Sequence, residues 1–169
     1  MSDAIHHMLG HAQGDLFIKL VNDALSGNTN NQGPLAVVLV GSGNNGKSYL
    51  MNAIAQKFQD HVKFAPIHLF KINQFGDIGI PNLPVRMFVV EHDDQVQLHA
   101  ADIKQSLAII NRRLVVLVAN DVPSFLTKAA EAGDNALLKR FEILACINEP
   151  KSFGNIDAAM NLITVEATV

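Results

Sequence analysis

One stretch constrains this chain more than any other: Gly41-Ser42-Gly43-Asn44-Asn45-Gly46-Lys47-Ser48, preceded directly by Leu35-Ala36-Val37-Val38-Leu39-Val40. It fits the phosphate-cradling pattern G-x-x-x-x-G-K-[ST] at every fixed position. The aliphatic run reads as a strand buried on both faces, as in a parallel sheet. Glycines let the chain turn sharply and bring backbone N–H groups up to an anion. Lys47 can then reach the β- and γ-phosphates of a nucleotide, and the Ser48 hydroxyl can sit on Mg²⁺. Beyond it, Leu50, Ile54 and Phe58 recur at i, i+4 and i+8, so Tyr49 to Phe58 reads as a helix whose N-terminus points at the phosphates. The predicted nucleotide contacts are Gly41, Gly43, Asn44, Asn45, Gly46, Lys47, Ser48 and Tyr49, with ATP and Mg²⁺ as the ligands.

The chain's 169 residues suit one domain with a core that needs no staples. Hydrophobic content of 49% and a mean hydropathy of +0.18 fit an α/β domain with a well-buried sheet. A net charge of −3 provides no global positive field for nucleic acid, so any such contact has to be local. Cys146 is the only cysteine and lies in an apolar run, which reads as a core thiol in a reducing compartment. The first thirty residues are polar and hold no apolar signal-peptide region. No apolar run approaches the roughly 18 residues of a membrane span. The expectation is a soluble, non-secreted, intracellular protein with no membrane partner, in the cytoplasm or in a host nucleus.

Strands and helices alternate along the sequence. Residues 1–14 hold His6, His7 and His11; His7 and His11 at i, i+4 can ligate a metal on one helix, but a solvated helix or arm accounts for them as well. Asp15 to Leu25 is amphipathic, and 26–33 is a polar loop. Further strands are expected near Ile67–Ile72, at Val85–Val90, Leu114–Ala119 and Phe141–Ile147, with one more candidate at Asn161–Val165. Ala100–Asn111 and Thr127–Arg140 read as helices, the second weakened by Gly133, and 73–84 reads as a loop. The divisions are a lead-in at 1–33, a core at 34–147 and an extension at 148–169. This alternation implies a parallel sheet with helices on both faces and ligands at the carboxyl ends of the strands.

The polar residues just past each apolar run are therefore the candidates. Glu91, Asp93 and Asp94 follow the third strand. A nucleotide hydrolase needs one carboxylate for the Mg²⁺ shell and usually another to polarise water, which assigns Glu91 to the metal and Asp93 or Asp94 to the base. His92 between them can also act as a base, and the plain alternative for the cluster is a solvated acidic turn. Asn120 can orient water with an uncharged amide, or open an Asx-turn into Asp121-Val122-Pro123. Arg140 can stabilise transition-state charge, often from a neighbouring subunit, or simply complement a helix C-terminus.

In order and spacing these elements resemble the superfamily 3 helicases of viruses, phages and plasmids, in particular the ATPase module of phage-plasmid and poxvirus-type primase-helicases. Ala24-Leu25-Ser26-Gly27 with the glycine-rich stretch, Val89-Val90-Glu91, Leu117 to Pro123 and Leu138-Lys139-Arg140-Phe141 carry the likeness, which spans about residues 20–147. The resemblance implies a three-layer P-loop sandwich of the ASCE/AAA+ kind, its mostly parallel five-stranded sheet in the order 5-1-4-3-2. It implies ATP hydrolysis, Asn120 as a sensor and Arg140 as a finger acting in trans. It further implies a homo-oligomer, usually a hexameric ring, acting on nucleic acid and expected on single-stranded DNA. The chain departs from the family at His92, which replaces a second acid, and in the short gap before Asn120, which leaves only His99 and Lys104 for a DNA-gripping hairpin. A packaging or assembly motor of similar plan and a nucleotide-gated binding module are the alternatives. A small-molecule kinase needs several lid arginines, and Arg86, Arg112, Arg113 and Arg140 are the only ones available.

Overall fold

Aliphatic runs without polar interruption can be satisfied only where both faces of a strand are covered. That is where the chain puts them. The computed structural model describes residues 3–27, 36–42, 46–71, 85–110, 113–148 and 155–164. Its strands are β1 (Ala36–Val40), β2 (Val62–Ala65), β3 (Met87–Glu91), β4 (Leu114–Ala119) and β5 (Phe141–Ala145). They form one five-stranded sheet in the order β2-β3-β4-β1-β5, every pairing parallel. This is the expected order read from the other edge.

Alternate residues of the central strands feed two separate cores. Val37, Leu39, Val89 and Val116 face helices α1 (Ala4–Leu9), α2 (His11–Ser26), α3 (Lys47–Lys57) and α7 (Ile156–Leu162). Val38, Val90, Val115 and Leu117 face a 3₁₀ turn at Ile67–Phe70 and helices α4 (Ala100–Ile110), α5 (Ser124–Ala132) and α6 (Asn135–Leu138). The described residues thus form three layers, helices on sheet on helices.

Several expectations are corrected. The N-terminal residues are not a solvated arm: α1 buries Ala4, Ile5, Met8 and Leu9 against the sheet side of α2 and α7. His7 and His11 do not share a helix, because Gly10 turns the chain between α1 and α2 at φ +83°. The second strand lies earlier than Ile67–Ile72, at Val62–Ala65; Pro66 cannot donate to a ladder and instead opens the 3₁₀ turn. Thr127–Arg140 is two helices, since Gly133 adopts φ +68° and Asp134 caps α6 through the Leu137 amide. Asn161 and Leu162 end α7 rather than start a strand, while Val165 lies outside the described residues. The expected loop at 73–84 also falls outside them. Lys104, a candidate nucleic-acid contact, pairs with Asp134 at 2.9 Å and so ties α4 to the start of α6.

Two amide side chains close the structure. Gln13 of α2 accepts from the Ala145 amide at 3.0 Å and donates to the Ala145 carbonyl at 2.9 Å, on the outer edge of β5. Asn22 donates to the Leu162 carbonyl and accepts from the Thr164 amide, holding the end of α7 to α2.

Candidate functional site

The tips of β3, β4 and β1 lie side by side, because the parallel register sets Glu91 against Val118 and Ala119 against Val40. The chain leaves β1 at Gly41, whose amide donates to the Ala119 carbonyl at 3.1 Å. Gly43, Asn44 and Asn45 lie outside the described residues. Gly46 then caps α3 with φ +83°, a left-handed conformation that a β-carbon would strain. Gly46 itself brings no side chain to cap this end. Helix geometry leaves the amides of Lys47, Ser48 and Tyr49 without intrahelical acceptors, while Leu50 bonds back to the Gly46 carbonyl.

Lys47 is only 4% exposed although it begins the helix. Its ammonium donates to the Gly41 carbonyl at 2.6 Å and the Ser42 carbonyl at 3.2 Å, so it folds back over the tip of β1. Burial pushes its pKa below the ordinary lysine value, partly opposed by the Cys146 sulfur. Cys146 itself is half-buried just past β5, its amide bonded to the Val40 carbonyl. Ser48 and Tyr49 are exposed. Tyr49 lines a cleft of about 400 Å³ between α3 and α7 together with Asn52, Lys57 and Asp157.

Glu91 is the last residue of β3 and is exposed. Two strand spacings, roughly 9.6 Å, separate β3 from β1 across β4. Asp93 and Asp94 do not converge with it on one point. Asp93 accepts from the Gln95 amide at 2.9 Å, an Asx-turn that occupies its carboxylate locally. Asp94 is exposed and lies 2.9 Å from His92 Nε2. That contact has ion-pair distance without hydrogen-bond alignment, and His92 Nδ1 has no partner at all among the described residues. The His92 ring is buried edge-on against Phe125, with centroids 6.2 Å apart. Glu91 to Gln95 line a cleft of about 600 Å³ with Pro66, Ile67 and His68. Its described lining comes from the tips of β2 and β3, on the far side of β3 from Lys47. His68 was invisible to periodicity, because the stretch containing it read as strand.

Asn120 follows β4 directly and is exposed, and its side chain makes no hydrogen bond among the described residues. The Asx-turn expected as its plain explanation is not formed. Among the described candidates, Arg140 is the one that the fold does not bring to this edge. It precedes Phe141, whose register partner is Ala36, at the opposite, amino end of the sheet. There its guanidinium donates to the Ala136 carbonyl within α6, and its own carbonyl accepts from the Ala36 amide at 3.0 Å. Lys47, Glu91 and Asn120 therefore share one edge, Asp93 and Asp94 border it, and Arg140 stands away. No protein-family model matches the chain, and no curated protein matches it.

Proposed function

We propose that this protein binds and hydrolyses ATP at the carboxyl edge of its sheet, as a ring-forming motor of the superfamily 3 helicase type acting on nucleic acid. One observation carries the reading. A buried lysine at the first position of α3 is held over the tip of β1 by two carbonyls, with a carboxylate and an amide at the two next strand tips. A lysine in that setting exchanges carbonyl oxygens for phosphate oxygens at little cost, because both solvate the ammonium.

In this reading the amides opening α3 and the Lys47 ammonium hold the β- and γ-phosphates. The Asn120 amide fixes the orientation of the attacking water. The donor set fits a hard dication: the Ser48 hydroxyl and the Glu91 carboxylate are oxygen ligands, both exposed at this edge. Mg²⁺ bound there would neutralise charge developing on the phosphates. Arg140 serves a neighbouring subunit's site, since its own is a strand length away.

The test pairs two variants in nucleotide binding and phosphate release. Lys47→Ala is expected to weaken ATP binding roughly 10- to 100-fold, the loss of one charge-assisted contact. Glu91→Gln is expected to keep binding and to slow turnover by about 100-fold or more. Unchanged hydrolysis in Lys47→Ala overturns the assignment. A second reading, a nucleotide-gated binding module without turnover, draws on the local engagement of Asp93 and Asp94, which leaves Glu91 as the single carboxylate at the β3 tip. Tight ATP binding with no phosphate release by the wild-type chain, with or without single-stranded DNA or RNA, selects it.

A further inference from the structure

The helical hairpin at the amino end carries a side-chain cluster that the nucleotide site does not use. His6 lies on α1, and His11 and Asp15 lie on α2, brought together by the turn at Gly10. His6 Nε2 is 2.7 Å from Asp15 Oδ1, and His11 Nε2 is 3.3 Å from Asp15 Oδ2. The three ligand atoms fall within 4.8 Å of one another. The two imidazoles stack with centroids 5.4 Å apart. We propose that this hairpin binds one divalent transition-metal ion of the zinc class through His6 Nε2, His11 Nε2 and the Asp15 carboxylate.

Three features argue for a built site. First, the other nitrogen of His6 is already assigned: Nδ1 lies 2.6 Å from Asp3 Oδ2, so it carries the proton donated to Asp3. An ion that displaces the Nε2 proton now shared with Asp15 would find its lone pair on that side, completing the carboxylate–imidazole–metal arrangement that fixes a ligand's tautomer and raises its basicity. Asp3 is itself held, since its other carboxylate oxygen accepts the His6 amide at 2.9 Å as the cap of α1. Second, α2 makes room for the ring. A β-carbon on Gly14 would lie 2.7 Å from His6 Cδ2 and 3.2 Å from its Cα, so glycine alone lets the imidazole lie this close to the helix. Third, the spacing suits the ion. With bonds near 2.0–2.1 Å, adjacent ligands of a tetrahedral site lie about 3.4 Å apart. The His11–Asp15 separation already matches, and the His6–Asp15 contact has to open by about 0.7 Å.

Two imidazoles with one carboxylate favour zinc, cobalt or nickel over magnesium or calcium, which prefer all-oxygen shells. His11 and Asp15 are exposed, so water can complete the coordination. The ion would join α1 to α2 and so secure Ile5 and Leu9 in the core, a stabilisation that follows from binding the native state alone.

The experiment is a calorimetric titration of the full, chelator-dialysed chain with zinc chloride, with thermal melts alongside. One zinc per chain and a raised Tm are expected, with no response to magnesium. His11→Ala is the decisive variant, because its side chain is exposed and its loss does not threaten folding; it should lower zinc affinity roughly 10- to 100-fold, and Asp15→Asn likewise. His7→Ala should leave the titration unchanged. Absence of zinc uptake by the wild-type chain overturns the proposal. So does an unaltered isotherm in His11→Ala, or an equal loss in His7→Ala.

Discussion

Removing a lysine ammonium from water costs several kcal/mol unless other groups replace the solvent. Lys47 regains part of that from the Gly41 and Ser42 carbonyls, and its lowered pKa measures what is not regained. An anion placed on the α3 amides would restore the rest, which is why one buried cation says more about this site than the exposed acids beside it. His6 shows the opposite balance. Hydrogen bonds to Asp15 and then Asp3 outweigh the cost of its burial and raise its pKa above 6.5, with His11 stacked on the ring. A raised folded pKa means that this stabilisation is fully present below the unfolded value near 6.5 and is lost as pH rises through the folded one. Metal-free protein in chelator is therefore expected to show a urea midpoint that falls as pH rises from 6.5 through that window. The slope should vanish in His6→Gln; a pH-independent midpoint in the wild-type chain refutes the assignment.

Between elements, α1 packs closely on α2 at Gly14. Gly14→Ala sets two effects against each other. Alanine favours a helix interior by about 1 kcal/mol over glycine. Against that, the new methyl meets the His6 ring at 2.7 Å and the α1 backbone at 3.2 Å, and His6 is held on both sides by carboxylates. Overpacking of this kind costs about 1–3 kcal/mol, so the clash wins. Net destabilisation of about 1 kcal/mol is expected in denaturant melts, and a stabilised variant would mean the hairpin is looser than described. β1, β3 and β4 announced themselves as aliphatic runs, since burial on both faces admits no polar alternation. β2 did not, because Lys63 and Phe64 are exposed at the sheet edge and the more apolar Ile67–Phe70 lay next to it. The approach of His6 to Asp15 depends on one left-handed glycine, and no periodicity reports that. Glu91 and Asn120 were readable as strand ends; the diversion of Asp93 into a local turn and the burial of His92 were not, because both depend on the path after β3.

For the whole molecule, the sheet has two ends with different chemistry. Lys47, Glu91 and Asn120 occupy the carboxyl end. Arg140 occupies the amino end, roughly 16 Å away along a five-residue strand. One chain cannot bring the two together, but a head-to-tail neighbour can. Arg140→Ala is thus expected to bind ATP normally and to hydrolyse none. Mixed one to one with Lys47→Ala, it should regain roughly one quarter of wild-type activity, the share of sites with an intact lysine beside an intact arginine under random assembly. No recovery at any ratio would count against action across an interface.

The Gln13 contact with Ala145 has a bearing on such assemblies. An outermost strand ordinarily offers its unpaired amides and carbonyls to any passing chain, a route to indiscriminate polymers. Here a single carboxamide imitates the missing neighbour and seals the last rung at the carboxyl end of β5. Copies of this protein that meet at that corner are therefore steered toward side-chain docking and away from joining their sheets into one.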